Sequence, residues 1–349
     1  MSRTKKEIKI GGISIGGSAP IAVQSMTNTK TADIKKTVSQ IKRLERLGCE
    51  IIRVAVPDFA SANALPEIKR RINIPLIADI HFDYRLAIKS IENGADKIRI
   101  NPGNIGDKKR LFKVLDAAKK FKVPIRLGVN SGSIEKSILK RYKHPTPAAL
   151  VESVLKSLKL FESRDFTDIV ISVKSSNVLD TIKAYELLDK KVRYPLHIGI
   201  TEAGTRFTGA VRSSTGLGIL LFKGIGDTLR VSLAGNPEWE IITAYQILRS
   251  LGLRSGGVKM IVCPTCGRTD IPVEKIASKI ERLTRYLKGP IKIAVMGCVV
   301  NGPGEAKDAD VGIACGKDKG AIFRKGKIIG TVSEESFLAA LIAEINKEL

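Results

Sequence analysis

The stretch Pro20-Ile21-Ala22-Val23-Gln24, followed by a helical pattern over residues 34–47, begins the repeat that decides the fold. Its short apolar run is typical of a buried strand. The segment after it predicts a helix with one buried face, because apolar residues recur at helical spacing at Ile34, Val38, Ile41, Leu44 and Leu47. We count eight such strand-helix units before residue 251, and the other predicted strands cover residues 51–54, 75–79, 97–100, 124–128, 168–172, 195–199 and 228–233.

Eight consecutive strand-helix units are the pattern of a (β/α)8 barrel, or TIM barrel, whose parallel strands place their carboxyl ends around one active site. We therefore predict an α/β protein in which residues 1–253 form a substrate-binding barrel. The glycine pairs Gly11-Gly12 and Gly16-Gly17 predict a short hairpin that plugs the barrel floor. Residues 254–349 begin with a Gly-rich linker and predict a small α+β domain that carries the cofactor, with strands at 259–263 and 291–295, short strands through 332, and helices at 273–287 and 334–347.

The composition narrows the class of protein. Of the 349 residues, 43% are hydrophobic and 27% are charged, which is typical of a soluble globular chain with two domains. No apolar stretch approaches the roughly 20 residues that span a bilayer, so we expect neither a membrane span nor a signal peptide. Five cysteines, an odd number, argue against a disulfide framework and predict a reducing compartment, with the cytoplasm as the expected location.

The net charge of +24 predicts an anionic partner by long-range attraction. Lysines occur in scattered pairs on helical patterns, where they read as a solvated surface, and only 5% of residues are aromatic. Nucleic-acid platforms stack bases on aromatic side chains. We therefore expect a small anion as the partner and no nucleic acid.

Arginines interrupt four of the predicted strands near their carboxyl ends, where a strand buried on both faces normally holds apolar residues. Barrel closure would aim these side chains into one cavity, together with Lys174 from the sixth strand. Neutral hydrogen-bonding groups at similar heights include Asn130, His197 and Ser232. So many planar bidentate donors predict a phosphate or diphosphate ligand; the arginines are Arg53, Arg99, Arg126 and Arg230.

Only two carboxylates, Asp79 and Glu202, are predicted near the same strand ends as the cations. The cations would therefore exceed the carboxylates by three charges; they are Arg53, Arg99, Arg126, Lys174 and Arg230. Glu202, just beyond the seventh strand, is the predicted general acid, because burial at the barrel lip would raise its pKa. Asp79 and His81 are two residues apart and could together hold a substrate hydroxyl. Alternatively, Glu202 pairs with an arginine, and His81 and His197 are satisfied by backbone groups.

Three cysteines follow strand-like runs in the last third of the chain: Cys263 and Cys266 in a CxxC turn, and Cys298 in a second turn. Zinc, iron-sulfur and thiol-disulfide chemistry all use CxxC. Cys298 has no cysteine or histidine two to four residues away, and no histidine follows His197. Cys315 could supply a fourth thiolate but reads more readily as a core thiol, as does Cys49. Three thiolates with an open or oxygen-ligated fourth position favour an iron-sulfur cluster.

A set of specific motifs runs in order along almost the whole chain: Val23-Gln24-Ser25-Met26-Thr27, Ala78-Asp79-Ile80-His81-Phe82, Ile100-Asn101-Pro102-Gly103-Asn104, His197-Ile198-Gly199-Ile200-Thr201-Glu202-Ala203-Gly204, Cys263-Pro264-Thr265-Cys266-Gly267-Arg268 and Met296-Gly297-Cys298-Val299-Val300-Asn301-Gly302-Pro303-Gly304-Glu305. In these motifs the chain closely resembles the bacterial 4-hydroxy-3-methylbut-2-enyl diphosphate synthases. The resemblance implies reductive ring opening and dehydration of 2-C-methyl-D-erythritol 2,4-cyclodiphosphate, with flavodoxin or ferredoxin as the electron donor. It also implies a small domain of the sulfite/nitrite reductase type and a head-to-tail homodimer with composite sites.

The resemblance also assigns residues to roles. It implies a [4Fe-4S] cluster with Cys263, Cys266, Cys298 and Glu305 as its ligands, and Glu202 as the proton donor. The implied substrate ligands are Arg53, Arg99, Arg126, Asn130, Lys174, Arg230 and Ser232, joined by Asn301 from the small domain.

Two other classes of protein remain as alternatives. A basic RNA-binding protein with zinc on its cysteines would explain the net charge but not the arginines at strand ends. A different iron-sulfur reductase, related to sulfite or nitrite reductases, would require siroheme. It would also require one more cysteine ligand than the three predicted here, Cys263, Cys266 and Cys298.

Overall fold

The computed structural model describes residues 5–269, 271–298 and 306–348. The chain forms two compact units, residues 1–254 and 255–349. Within the described residues, no helix is both long enough and apolar enough to cross a bilayer.

The first unit is a TIM barrel, as predicted. Its strands are β3 (Ala22–Met26), β4 (Ile51–Ala55), β5 (Leu76–Asp79), β6 (Lys97–Ile100), β7 (Ile125–Asn130), β8 (Ile169–Lys174), β9 (His197–Ile198) and β10 (Thr228–Leu229). All neighbouring pairs are parallel and run in the order β8-β7-β6-β5-β4-β3-β10-β9. A bridge between Ile171 and Leu196 joins β8 to the β9 end, and the Ile171 N–H donates to the Pro195 carbonyl at 2.9 Å.

The last two barrel strands are shorter than the sequence predicted. Regular pairing of β9 and β10 covers only two residues each. One further hydrogen bond, from the Arg230 N–H to the Ile198 carbonyl at 3.0 Å, continues the pairing. Beyond it, Gly199 leaves room for neighbouring groups, and the chain departs from the ladder to form the barrel lip.

Nine helices surround the barrel within the described residues: α1 (Ile34–Arg46), α2 (Phe59–Arg70), α3 (Tyr84–Glu92), α4 (Lys108–Phe121), α5 (Lys136–Tyr142), α6 (Pro147–Glu162), α7 (Val178–Asp189), α8 (Arg206–Phe222) and α9 (Glu238–Ser250). The first four begin after an aspartate whose carboxylate accepts a backbone N–H of the first turn, which satisfies a donor that the helix leaves free. These caps are Asp33, Asp58, Asp83 and Asp107.

Alternation along each strand separates two interiors. Ile52 and Val54 of β4 pack outward against the helices, in the main core. Ile51 faces the barrel axis instead, in a separate cluster with Ile77. Because side chains two residues apart share a face of a strand, Arg53 faces the barrel axis, as Ile51 does. The barrel interior is therefore apolar at the bottom and charged above.

The predicted hairpin at the barrel floor is confirmed. Strands β1 (Ile8–Ile10) and β2 (Ile13–Ile15) pair antiparallel. Their inward residues form one buried cluster with the lowest inward residues of the barrel: Ile8, Ile10, Ile15, Ala22, Ile51, Ile77 and Val170. This cluster closes the amino-terminal end of the barrel with hydrocarbon.

The second unit is built on a five-stranded mixed sheet in the order β11-β12-β13-β14-β15. The first three strands are parallel and the last two antiparallel. The strands are β11 (Val258–Val262), β12 (Ile291–Met296), β13 (Val311–Cys315), β14 (Lys319–Arg324) and β15 (Lys327–Ser333), with helices α10 (Val273–Thr284) and α11 (Phe337–Lys347). The likeness of this unit to sulfite and nitrite reductases stays a prediction.

The floor cluster generates a stability prediction. Ile10 is fully buried, whereas its neighbour Lys9 is exposed on the same strand. We expect Ile10→Ala to lower the free energy of unfolding by about 2–5 kcal/mol, because it leaves a cavity beneath the barrel. Lys9→Ala, the matched control, should change it by less than about 0.5 kcal/mol. Urea denaturation followed by circular dichroism measures both, and equal effects would contradict the packing role of the hairpin.

Candidate functional site

Asp79 is the centre of a charged cluster at the mouth of the barrel. Its carboxylate lies 3.1 Å from Arg99 Nη1 and 3.7 Å from Arg53 Nε. All three side chains are at least nine-tenths buried. Burial alone would raise the pKa of Asp79, but the positive charges of Arg53 and Arg99 hold it well below its usual range. The carboxylate is therefore ionised and fixes the two guanidinium groups.

His81 lies beside this cluster at the lip, with about half of its side chain exposed. Its Nε2 atom is 3.0 Å from Arg99 Nη1 and 3.5 Å from the Asp79 carboxylate. A guanidinium can only donate, so His81 Nε2 accepts this hydrogen bond. The structure thus brings Asp79 and His81 together, as the sequence predicted, and their partners here are side chains.

Arg126 is the most deeply buried guanidinium of the site, with only 2% of its surface exposed. Its Nε and Nη1 atoms have no hydrogen-bond partner among the described residues. Burial and the positive charges of Arg53 and Arg99 hold its pKa well below the usual value. Buried cations are normally paired, and no carboxylate of the described residues forms an ion pair with Arg126, so this side chain favours an anionic ligand.

Lys174, His197 and Thr228 form a hydrogen-bonded chain across three neighbouring strands. Lys174 Nζ is 3.3 Å from His197 Nε2, and His197 Nδ1 is 2.9 Å from Thr228 Oγ1. Burial, together with Lys174 and Arg126, holds the pKa of His197 well below its usual value, so the ring is neutral. The ring then accepts from Lys174 at Nε2 and donates from Nδ1 to Thr228. The alternative that backbone groups satisfy His197 is wrong.

Glu240, on α9, is a buried carboxylate that the sequence analysis missed. It accepts hydrogen bonds from Arg230 Nε at 3.0 Å and Nη2 at 2.8 Å, and from Ser25 Oγ at 2.7 Å. The expectation that only Asp79 and Glu202 could face the five cations is therefore wrong. Glu240 belongs to a helix that follows the last strand, whereas Asp79 and Glu202 lie at or just beyond strand ends. With Glu240 included, Arg126 and Lys174 remain without a carboxylate among the described residues.

Glu202, the predicted general acid, follows Ile200 at the end of the seventh predicted strand. Its side chain is exposed, so the burial that was expected to raise its pKa is not seen within this unit. The residue has a φ of +52°, a left-handed conformation that is uncommon outside glycine. Arg212 Nη1 donates to the carbonyls of Glu202 at 3.4 Å and Ala203 at 3.2 Å, which fixes this turn. Strained backbone of this kind clusters at functional sites.

The remaining predicted substrate ligands of the barrel are Asn130 and Ser232. Asn130 ends β7, and its side-chain oxygen accepts from Ser133 Oγ at 2.8 Å. Ser232 follows β10 and is half-buried. Both lie at or beyond the carboxyl end of a barrel strand, and Asn130 is in register with Lys174, the last residue of β8. Arg126 is instead the second residue of β7, in register with Arg99, so the prediction that it lies near the carboxyl end of its strand is wrong.

Two glycines on the inner barrel wall make room for the cationic side chains. A Cβ atom on Gly199 would lie 2.6 Å from Lys174 Nζ and 2.7 Å from the Arg230 carbonyl. A Cβ atom on Gly128 would lie 3.0 Å from Arg99 Nε. The positions of these cations therefore depend on the absence of neighbouring side chains.

The cysteines of the second unit lie at the carboxyl ends of adjacent strands. Cys263 follows β11, and its N–H donates to the Val295 carbonyl of β12 at 3.0 Å. Cys298 follows β12. Cys266 is exposed, and Arg268 Nε donates to its sulfur at 3.5 Å, which lowers the pKa of this thiol. The charges of Cys266, Cys298 and Cys263 all raise the pKa of Arg268.

This arrangement fits an iron-sulfur cluster in its donors. The three sulfur donors lie at one edge of the sheet, and Arg268 favours the thiolate form of Cys266. The described residues contain no group of three or more His, Cys, Asp or Glu side chains placed to hold a metal ion. Asn301 and Glu305, predicted to contact substrate and cluster, lie outside the described residues.

The other two cysteines are core residues, as expected. Cys315 is fully buried in the core of the small unit, and burial raises its pKa to about 12. Cys49 is buried in the barrel core, where burial likewise raises the thiol pKa to about 12. Neither thiol is suited to nucleophilic or ligand chemistry in this state.

Fold and site together define a class: a TIM-barrel protein with a cationic ligand site, extended by a small mixed α/β unit in which three cysteines follow the first two strands. Two family models match the chain, the GcpE TIM-barrel domain over residues 5–245 and the GcpE protein C-terminal domain over residues 259–347. The chain therefore belongs to the GcpE family.

Curated relatives agree along the whole chain. A protein of Caldanaerobacter subterraneus subsp. tengcongensis is 62% identical over 99% of this chain and 98% of its own length, and one of Caldicellulosiruptor saccharolyticus is 57% identical over 97% and 98%. Both carry the name 4-hydroxy-3-methylbut-2-en-1-yl diphosphate synthase (flavodoxin). A solved N-acetylneuraminic acid synthetase of Leptospira borgpetersenii has a TM-score of 0.51 at 13% identity, covering 82% of this chain and 99% of its own, and shows the fold alone.

The contact of Gly199 generates a test of the cationic site. We expect Gly199→Ala to weaken binding of inorganic diphosphate by roughly tenfold or more, because the new methyl group displaces Lys174 Nζ. Gly218→Ala is the matched control, since a Cβ atom there meets nothing within 4 Å. Isothermal titration calorimetry measures both affinities. Unchanged affinity in Gly199→Ala would remove Lys174 from the anion site.

Proposed function

We propose that the protein converts 2-C-methyl-D-erythritol 2,4-cyclodiphosphate to (E)-4-hydroxy-3-methylbut-2-enyl diphosphate. The observation that carries the proposal is the buried guanidinium of Arg126, which lies among further cations and whose Nε and Nη1 atoms lack a hydrogen-bond partner in the part of the chain that the structure describes. A diphosphate supplies the anionic oxygens that this side chain and Lys174 lack. The names of relatives 52–62% identical to this chain support this substrate.

In the proposed reaction, the bond between C2 and its phosphate oxygen breaks and opens the ring, while the hydroxyl on C3 leaves as water. Two electrons enter and form the double bond between the two carbons. Cys263, Cys266, Cys298 and Glu305 would hold a [4Fe-4S] cluster, which supplies these electrons one at a time. The relatives' name supports flavodoxin as the source of electrons. Ferredoxin is a second donor of the same kind.

The barrel residues would bind and orient the diphosphate. Arg126, Arg99, Arg53, Lys174 and Arg230 compensate its charge, with Asn130 and Ser232 as neutral donors. Asp79 and His81 would accept and orient a substrate hydroxyl, and His197 would hold Lys174 towards the ligand through their 3.3 Å contact. This rigid set fixes the substrate before any electron arrives, which lowers the entropic part of the barrier.

Glu202 would give the proton that the departing hydroxyl needs. Its exposed carboxyl group must lose contact with water to become an effective acid. A second subunit could cover it, and we propose a head-to-tail homodimer with composite sites, in which Asn301 of the small unit contacts substrate. The cytoplasm is the proposed location. The RNA-binding and siroheme alternatives have no support in the family assignment.

Turnover under anaerobic conditions tests the proposal. The protein, reconstituted with iron and sulfide, should convert the cyclodiphosphate to the linear diphosphate with two electrons consumed per product, using reduced flavodoxin or a chemical reductant. Product is identified by mass spectrometry and phosphorus NMR. A colourless protein with stoichiometric zinc, or a loaded cluster without product, would contradict the proposal.

Replacement of one thiolate should remove the cluster. We expect Cys298→Ser to lose most of its iron, its visible absorbance and its turnover, because a serine hydroxyl is a poor ligand for iron in a sulfur cluster. Cys49→Ala, which removes a thiol from the barrel core, should keep normal iron content. Iron and sulfide analysis with visible spectroscopy gives the readout. Full iron content in Cys298→Ser would show that the ligand assignment is wrong.

Replacement of the proposed acid should slow chemistry without weakening binding. We expect Glu202→Gln to lower kcat by roughly 100-fold to 10,000-fold, since general acids contribute about that much, with little change in substrate affinity. Glu67→Gln, a half-buried carboxyl on α2 that pairs with Arg70 of the same helix, serves as the control and should retain kcat. Steady-state kinetics and calorimetry together separate the two effects. A pure loss of affinity in Glu202→Gln would instead indicate a binding role.

A further inference from the structure

Lys97 is a fully buried lysine that has no role in the proposed mechanism. It lies on β6, two residues before Arg99, and therefore shares the inner face of the strand with it. Ile98, between them, packs into the outer core. The Lys97 side chain has no exposed surface, and its Nζ atom has no hydrogen-bond partner among the described residues. Lysines are almost never fully buried unless they are paired.

The charged groups around Lys97 do not neutralise it. Arg126 on β7 and Arg53 on β4 repel its positive charge, and Lys97 in turn acts on His197 of β9. Asp79, on the neighbouring β5, is already engaged by Arg53 and Arg99. Burial and the two arginines hold the pKa of Lys97 well below its usual value, which favours the neutral amine in the ligand-free protein. On the remaining inner strands the charged groups are Lys174 of β8, and Arg230 beyond β10 with its partner Glu240.

Gln24, on the inner face of the barrel, is a second buried polar side chain without a partner among the described residues. Gln24 of β3 shares the inner face with Met26, whose sulfur lies 3.2 Å from Arg53 Nε. Both the amide oxygen and the amide nitrogen of Gln24 are buried and lack a partner among the described residues. Unpaired buried polar groups are costly. Gln24 is in register with Ile51 of the floor cluster, so the unpartnered polar groups begin just above the hydrocarbon floor.

We propose that Lys97 forms the base of the diphosphate site and that substrate binding is coupled to the uptake of one proton from solvent by its Nζ atom. The proposal rests on the proposed function for the identity of the ligand. A dianion that enters the site reverses the local field, because it places negative charge among groups that until then repel Lys97. The amine then gains the proton, and product release returns it to solvent.

Other groups of the site are less suited to this role. Arginines keep their charge under physiological conditions. Both ring nitrogens of His197 are engaged, with Lys174 at 3.3 Å and Thr228 at 2.9 Å, so a second ring proton would break the contact with Lys174. Lys174 has this histidine as an acceptor. Of the two lysines, Lys97 alone combines complete burial with an unpartnered nitrogen among the described residues.

The sign of the pH dependence follows from the two states. The ligand-free state favours the amine and the bound state favours the ammonium, so affinity is full at low pH and falls as pH rises between the two pKa values. Across that window the affinity should change by about tenfold per pH unit for one proton. Each phosphoryl group of the cyclic diphosphate carries a single, strongly acidic proton. The ligand therefore keeps its charge near neutrality, and the proton must come to the protein.

Calorimetry of the loaded protein under anaerobic conditions tests the proposal. Binding enthalpy for the cyclic diphosphate is measured at one neutral pH in buffers with different ionisation enthalpies, and the slope gives the number of protons taken up. We expect a slope near one proton for the wild type. The slope should fall to near zero in Lys97→Met, which has no titratable group, and in Lys97→Arg, which stays protonated in both states.

The controls separate the possible failures. Lys119→Met, on the exposed face of α4, should keep the wild-type slope. A wild-type slope of zero with normal binding would overturn the inference, whether or not the Lys97 variants fold. An unchanged slope in folded Lys97→Arg would overturn the assignment to Lys97. Absence of any binding by the wild type would instead overturn the proposed function.

Discussion

The cost of burying like charges along the barrel axis is the constraint on which the rest of the structure depends. A cation moved out of water loses hydration that only an anion or several hydrogen bonds can replace. Asp79 offsets this cost for Arg53 and Arg99, and Glu240 offsets it for Arg230. Arg126 and Lys97 have no such compensation within the described residues. The free barrel is therefore held in a state that an anion stabilises.

The fold tolerates these buried charges because its stability comes from apolar packing outside the charged interior. The outward faces of the strands pack against the helices in one large core, and the isoleucine floor closes the barrel below the charges. Burial of such side chains contributes roughly 1.5–3 kcal/mol each relative to exposure. Stability and ligand affinity are thus separated by the alternation of side chains along each strand. The outer face of β6, which carries Ile98 and Ile100, stabilises the barrel, while its inner face carries Lys97 and Arg99.

Much of this architecture could be predicted from sequence, because short apolar runs and helical periodicity report local structure directly. The strand containing Lys97 and Arg99 was predicted with its observed bounds. Arg53, Arg99 and Arg126 stood out because a charge inside a buried strand is conspicuous. Glu240 escaped notice, since a glutamate in a helix is ordinary and its burial depends on tertiary packing. The exposure of Glu202 is likewise set by what packs over it, which no local pattern encodes.

The closed amino-terminal end of the barrel limits how substrate enters and product leaves. Because the hairpin and the isoleucines Ile8, Ile10 and Ile15 fill the amino-terminal end, a ligand can reach the charged interior only from the carboxyl ends of the strands, within the part of the chain that the structure describes. Whatever enters must leave by the same route, and water released from the deepest groups must pass the incoming ligand. Substrate and product therefore cannot occupy the barrel interior together. Anything that covers the carboxyl ends of the strands would control both substrate entry and product release.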